Sequence, residues 1–139
     1  MKRDMDLVRG ILLAIEEKEA REGCEFREVL DWLKGNEHIT SSDKDKDKVL
    51  VHCGILVDGG LAEKCYDRTE TNASRQDKWF FFPGSRIRLC WEGYEFLDNA
   101  RQDKVWKKVK DKMANAGGTL SFEVVKMLVT ELSKSAVGL

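Results

Sequence analysis

Residues 86–99 read RIRLCWEGYEFLDN, a strand pattern that runs into a helix pattern with almost no linker. The first six residues alternate between apolar and polar or small side chains, which predicts a half-buried strand over 86–91 with Trp91 on its core side. The following residues predict a helix with Tyr94 and Leu97 on its buried side. A strand that passes directly into a helix restricts the folds that the rest of the chain can complete.

Three helical segments precede this stretch. The first covers residues 4–22, where apolar residues recur at helical spacing, and the second covers 26–34. The third is predicted over 43–57, with Ser42 placed to cap it. Its core side would carry Val49, Cys53 and Leu56, and its outward side Lys44, Asp47, Lys48, Val51, Ile55 and Asp58.

A predicted strand and wing connect the third helix to residues 86–99. Residues 61–68 and 79–82 have strand composition, and the polar segment 69–78 between them is typical of a wing tip. With residues 86–91 they predict a sheet of two or three strands. This order predicts an α+β, mostly α, fold, which is a winged helix-turn-helix domain over residues 1–100.

The rest of the chain predicts a helical hairpin over residues 101–139. Val105 and Trp106 open one apolar stripe, and Ser121 caps a last helix. The apolar surface exceeds what a short hairpin buries alone. We therefore expect this extension to pack on the winged core or to mediate dimerisation, and we expect Trp106 in a core.

Composition restricts the function classes. The 139 residues include 24 basic and 25 acidic ones, so a phosphate-binding surface must be a local patch. The four cysteines have no metal-ligand spacing with each other or with the two histidines, so we expect no metal and no cofactor. Scattered thiols fit a reducing cytoplasm, and we expect no signal peptide and no membrane-spanning segment. No catalytic motif occurs, which favours a protein that is not an enzyme.

Four segments carry a resemblance to a known family: MKRDMDLVRGILLAIEE, VHCGILVDGGLAE, RLCWEGYEFLDNARQDKVWKKVK and SFEVVKMLVTELSK. The chain resembles small bacterial and phage or prophage-borne proteins of unknown function that are generally regarded as winged-helix. The most specific element is L-x-W-E-G-x-E-F-L-D at residues 89–98. The resemblance implies the fold, brings no catalytic residues, and through a mobile-element origin implies a regulatory or host-interaction role.

Two functions remain open at this point. In the first, the chain is a cytoplasmic DNA-binding transcriptional regulator that acts as a homodimer, because a two-fold pair doubles the sequence that one helix reads. In the second, it is a protein–protein interaction module on a winged-helix scaffold that does not bind DNA, with exposed apolar residues as the partner surface. A steep salt dependence of duplex binding distinguishes the first from the second.

The predicted DNA contacts lie on the outward side of the third helix and on the wing. They are Lys44, Lys48, Val51, His52, Ile55, Arg68, Arg75 and Lys78. The alternating run of lysine and aspartate at 44–48 is also typical of a solvated helix start. His52 lies at the edge of the outward side, where a packed, hydrogen-bonded histidine is the commoner case.

Overall fold

The computed structural model describes residues 2–65, 84–118 and 120–138. These residues form a mostly helical α+β arrangement of six helices and three short strands, as the sequence predicts in outline. In chain order the elements are α1 (Met5–Lys18), β1 (Cys24–Glu25), α2 (Phe26–Gly35), α3 (Asp43–Asp58), β2 (Ala62–Cys65), β3 (Arg86–Leu89), α4 (Trp91–Ala100), α5 (Asp103–Asn115) and α6 (Phe122–Ala136). The predicted strand at 79–82 and the predicted wing tip at 69–78 lie outside the described residues.

The three strands form one antiparallel sheet in the order β1-β3-β2. Cys24 of β1 lies opposite Ile87, and Ala62 of β2 lies opposite Leu89. Ile87 and Leu89 are buried, as their alternation predicts. The sequence predicts no strand before α2, and this is wrong: β1 has only two residues, too few to show a two-residue period.

The two arginines of β3 each pair with a glutamate on a neighbouring strand. The Arg86 guanidinium donates to Glu25 of β1 at 2.9 Å. Arg88 pairs with Glu63 of β2, the residue directly opposite it in the sheet. These cross-strand ion pairs join both outer strands to β3 on its polar side. The two guanidinium groups therefore have partners within the sheet.

Trp91 contradicts the strand pattern. β3 ends at Leu89 and Trp91 is the first residue of α4, where its side chain is 77% exposed. The prediction of a core tryptophan is wrong because the two-residue period stops before this position and no longer determines which way the residue points. In α4 the buried side carries Phe96 and Leu97, while Tyr94, expected to be buried, is 36% exposed.

Gly93 lies against the start of β2. The Leu61 carbonyl accepts a hydrogen bond from the backbone N–H of Cys90 at 3.0 Å. An alanine Cβ placed at Gly93 would be 2.1 Å from that same oxygen. The passage from β3 into the first turn of α4 thus requires a residue without a side chain, which explains the glycine within the W-E-G sequence.

The chain divides into two compact units, Met1–Gly93 and Tyr94–Leu139. In the first, the buried residues of the helices and the sheet form one core that includes Leu12, Ile15, Val29, Leu33, Val49, Cys53 and Ile87. The apolar stripe predicted for the first helical segment is fully buried. The domain boundary predicted after residue 100 stays a prediction.

The second unit is built on the packing of α5 against α6. Trp106 is buried, as predicted, and meets the Phe96 ring edge to face at a centroid distance of 6.4 Å. The Ser121 hydroxyl accepts a hydrogen bond from the Val124 N–H at 3.3 Å, so the predicted cap of α6 is confirmed. None of the helices in the described part of the chain is long and apolar enough to cross a bilayer.

Candidate nucleic-acid interface

Side-chain oxygens fix the start of α3. The Ser42 hydroxyl accepts a hydrogen bond from the Asp45 N–H at 3.2 Å, which confirms the predicted cap. The Asp45 carboxylate accepts from the Thr40 N–H at 2.7 Å and from the Thr40 hydroxyl at 2.8 Å. These hydrogen bonds hold the pKa of the Asp45 carboxyl below its usual value. The preceding loop is thereby joined to the first turn of α3.

The buried side of α3 matches the sequence prediction. Val49 and Cys53 have no exposed surface, and Leu56 is 2% exposed. The packing of this side onto the first core sets the rotation of α3 about its axis. The opposite side is consequently the one that a ligand can reach.

His52 is buried rather than available to a ligand. It has no exposed surface, and its Nε2 accepts the backbone N–H of Asp4 at 2.9 Å. Its Nδ1 lies 2.8 Å from the carbonyl oxygen of Lys48. Because a carbonyl only accepts and an N–H only donates, the neutral tautomer with the proton on Nδ1 satisfies both contacts. The prediction that His52 contacts DNA is wrong, and the commoner packed interpretation is confirmed.

Lys48 is paired within the protein. Its ammonium group donates to the Asp4 carboxylate at 2.8 Å, and both side chains are about one-third exposed. Partial burial raises the pKa of the Asp4 carboxyl, but hydrogen bonds from Lys48 and from the Leu7 N–H outweigh it, so the pKa lies below its usual value. The stability from these contacts is present above the unfolded-state pKa and is lost as the pH falls through the folded-state pKa. The Lys48 ammonium group therefore joins the start of α1 to α3.

The remaining outward residues of α3 are accessible. We use the name α3 flank for Lys44, Asp47, Val51, Ile55 and Asp58. Val51 is 44% exposed, Ile55 is partly exposed, and the three charged residues are exposed. The structure therefore brings three predicted contacts together, Lys44, Val51 and Ile55, and adds two aspartates to the same surface.

The three wing contacts in the prediction, Arg68, Arg75 and Lys78, lie outside the described residues. Their part in the interface stays a prediction.

A short basic arm lies beside α3. Lys2 and Arg3 are exposed, and the next residue, Asp4, is held against α3 by its contacts with Lys48 and His52. The basic arm, residues 2–3, therefore directly precedes a residue that contacts α3 next to the α3 flank. The sequence shows the two basic residues but does not indicate that they lie beside α3, because the contacts of Asp4 with Lys48 and His52 join residues more than forty positions apart.

Two of the four cysteines have the properties of buried structural thiols. All four are free thiols, and Cys24 and Cys53 are buried, as expected of structural cysteines. Burial, together with nearby carboxylates such as Glu28, raises the pKa of Cys24 to about 12, and burial raises the pKa of Cys53 as well. Thiols in this condition are protonated near neutral pH and are poor nucleophiles. Within residues 2–65, 84–118 and 120–138, no three histidine, cysteine or acidic side chains cluster as metal ligands would.

Comparison with known proteins gives two matches. A Haemophilus influenzae protein described as "Uncharacterized protein" is 27% identical over 128 residues, a span that is 92% of this chain and 92% of the relative. No solved structure matches the chain. Residues 2–119 match the family model described as "Hypothetical protein (DUF2513)", and because this match takes in well over half of the chain, the protein belongs to that family.

Proposed function

We propose that this protein is a winged-helix DNA-binding regulator of the phage or prophage type, without catalytic activity, and that the α3 flank enters the major groove. The order of elements carries the proposal. Among the residues that the structure describes, three helices with a short strand after the first are followed by two antiparallel strands, and the central strand of the sheet is the last of the three. In a helix-turn-helix arrangement of this kind, the helix at the position of α3 is the one that contacts base edges.

The shape of the α3 flank supports this role. Val51 and Ile55 lie four residues apart on one side of α3, and both are accessible. Apolar side chains at such positions contact the methyl groups of thymine. Lys44 lies about two turns before Val51, towards the start of the helix, where it can reach a phosphate or a base edge.

The basic arm adds positive charge where α3 has little. α3 contains three lysines and four aspartates, and Lys48 is already paired with Asp4. Attraction to DNA must therefore come largely from Lys44 and from groups beside the helix. Lys2 and Arg3 occupy such a place, and short basic arms next to a recognition helix are known to enter the adjacent minor groove.

A single charge reversal on the α3 flank tests this function. We expect Lys44→Glu to weaken binding to a random-sequence duplex at low salt by about tenfold and to flatten the salt dependence, because each lost phosphate contact lowers the slope by about 0.9. Fluorescence anisotropy at several salt concentrations measures both quantities. The matched control is Lys46→Glu, which makes the same charge change in the same helix turn on a different side. Equal losses in the two variants would contradict a role for the α3 flank.

A protein partner is the second candidate function. It is favoured by Trp91, whose indole is 77% exposed at the start of α4. Exposed tryptophans are frequent among the residues that dominate protein–protein binding energy. Absent duplex binding, or binding that does not respond to salt, favours this candidate over the first.

We also propose that the regulator acts as a homodimer through α6. Two apolar residues one turn apart on this helix, Val124 and Met127, are 39% and 66% exposed. A second copy of the same helix offers a self-complementary partner for such a surface. Light scattering at micromolar concentration is expected to give a dimer for the wild type and a monomer for Met127→Lys. A monomeric wild type would contradict the dimer.

A further inference from the structure

The highest density of positive charge in the sequence lies in α5. This helix carries five lysines and two aspartates, whereas α3 carries more aspartates than lysines. All five lysines are exposed, namely Lys104, Lys107, Lys108, Lys110 and Lys112. The chain as a whole has a net charge of −1, so this concentration is local.

The opposite side of α5 is fixed by packing. Val105 and Trp106 are each 2% exposed and Val109 has no exposed surface. The Trp106 ring meets Phe96 edge to face, and the helix packs along α6. The lysines are therefore held on the outer side of a supported helix, which lowers the entropy cost of presenting them to a ligand.

The lysine spacing suits a sugar-phosphate backbone. At 1.5 Å per residue, Lys104 and Lys112 are separated by about 12 Å along the helix axis. One strand of duplex DNA carries a phosphate about every 3.4 Å along its axis, so this length faces about three or four phosphates. Lysine ammonium groups bind phosphate as mobile point charges and need no fixed mutual geometry. Asp111 lies on the same side and offsets one of the positive charges.

We propose that α5 is a second DNA-contacting surface, which binds the phosphate backbone of duplex DNA without reading its sequence. Naming duplex DNA as the ligand rests on the proposed function. An anionic membrane would need the apolar side of a basic helix to enter the lipid. In α5 that side is buried within the protein, which favours a nucleic acid over a membrane surface.

Neutralising three α5 lysines tests this inference. The variant combines Lys104→Gln, Lys107→Gln and Lys108→Gln, since glutamine has a helix propensity close to that of lysine. Circular dichroism first verifies that the variant is folded. With a random-sequence duplex, we expect the slope of log affinity against log salt to fall by about 2 to 3 and the affinity at low salt to fall about tenfold or more.

A matched variant controls for the change in net charge. It combines Lys18→Gln, Lys34→Gln and Lys134→Gln, three exposed lysines on other helices. We expect its affinity and salt slope to stay near those of the wild type. Equal losses in the two triple variants, or wild-type binding by the α5 variant, would overturn the inference.

Two comparisons separate this inference from the proposed function. Loss in the α5 variant with unchanged binding by Lys44→Glu supports the α5 surface and contradicts docking by α3. Loss of affinity in Lys44→Glu with unchanged binding by the α5 variant supports docking by α3 and contradicts the α5 surface. Binding of the wild type to phosphatidylserine vesicles but not to duplex DNA overturns the choice of DNA as the ligand of α5.

Discussion

Replacing Gly93 by alanine is expected to lower the free energy of unfolding by about 3 kcal/mol or more. The added Cβ would lie 2.1 Å from the Leu61 carbonyl oxygen, a distance that no side-chain rotation can relieve. Relief requires a shift of α4 or of the backbone before β2. Either shift strains the hydrogen bond from Cys90 to Leu61, and with it the neighbouring pairing of Ala62 with Leu89. Urea denaturation followed by circular dichroism measures the loss.

Gly54→Ala is the matched control. Gly54 lies within α3, and a Cβ added there would meet nothing within 4 Å. Because glycine in a helix interior costs about 0.5 to 1 kcal/mol relative to alanine, this variant is expected to be more stable than the wild type. Similar stabilities for the two variants would show that α4 does not approach Leu61 as closely as described.

Replacing His52 by alanine is expected to lower the free energy of unfolding by about 3 kcal/mol. The change leaves a cavity at a position with no exposed surface. It also leaves the Asp4 N–H without its 2.9 Å hydrogen bond, so the start of α1 loses a contact with α3. Chemical denaturation measures this loss, and a melting curve gives an independent value.

The adjacent residue supplies the control for His52. Val51 is 44% exposed, so Val51→Ala is expected to change the free energy of unfolding by only about 0.5 kcal/mol. On the proposed function it weakens duplex binding instead, because the side chain lies on the α3 flank. If His52→Ala left stability unchanged and affected only DNA binding, the placement of His52 as a buried, hydrogen-bonded residue would be wrong.

The sequence was sufficient for features that depend on local periodicity. The buried side of α3 and the cap at Ser42 follow from spacing and from side-chain oxygens, and both are confirmed. The sequence does not predict the exposure of Trp91, because the strand period and the helix period meet within two residues of it. It does not predict β1, because a two-residue strand shows no period. The α5 lysines are plain in the sequence, but only the burial of Trp106 shows which side of α5 the protein covers.

The candidate site is harder to predict from the sequence, because contacts between distant segments determine which of its residues are accessible. Lys48 is a cation on the outward side by helical spacing, yet Asp4 binds it from 44 residues away. Helical spacing predicts His52 at the edge between the outward and core sides of α3, whereas the structure buries it with a hydrogen bond from the Asp4 N–H. No local pattern contains these contacts. They place His52 in the interior and pair Lys48 with Asp4, while the contact of Lys44, Lys48, Val51 and Ile55 with DNA stays a prediction.

Amide chemical shifts of the 15N-labelled protein, recorded while a short duplex is added at low salt, test the central claim most directly. If α3 enters the major groove, the largest shifts occur at Lys44, Asp47 and Val51, with smaller shifts at Lys2 and Arg3. Shifts that avoid α3 altogether, or no shifts up to saturating duplex, would contradict the claim that the α3 flank contacts DNA.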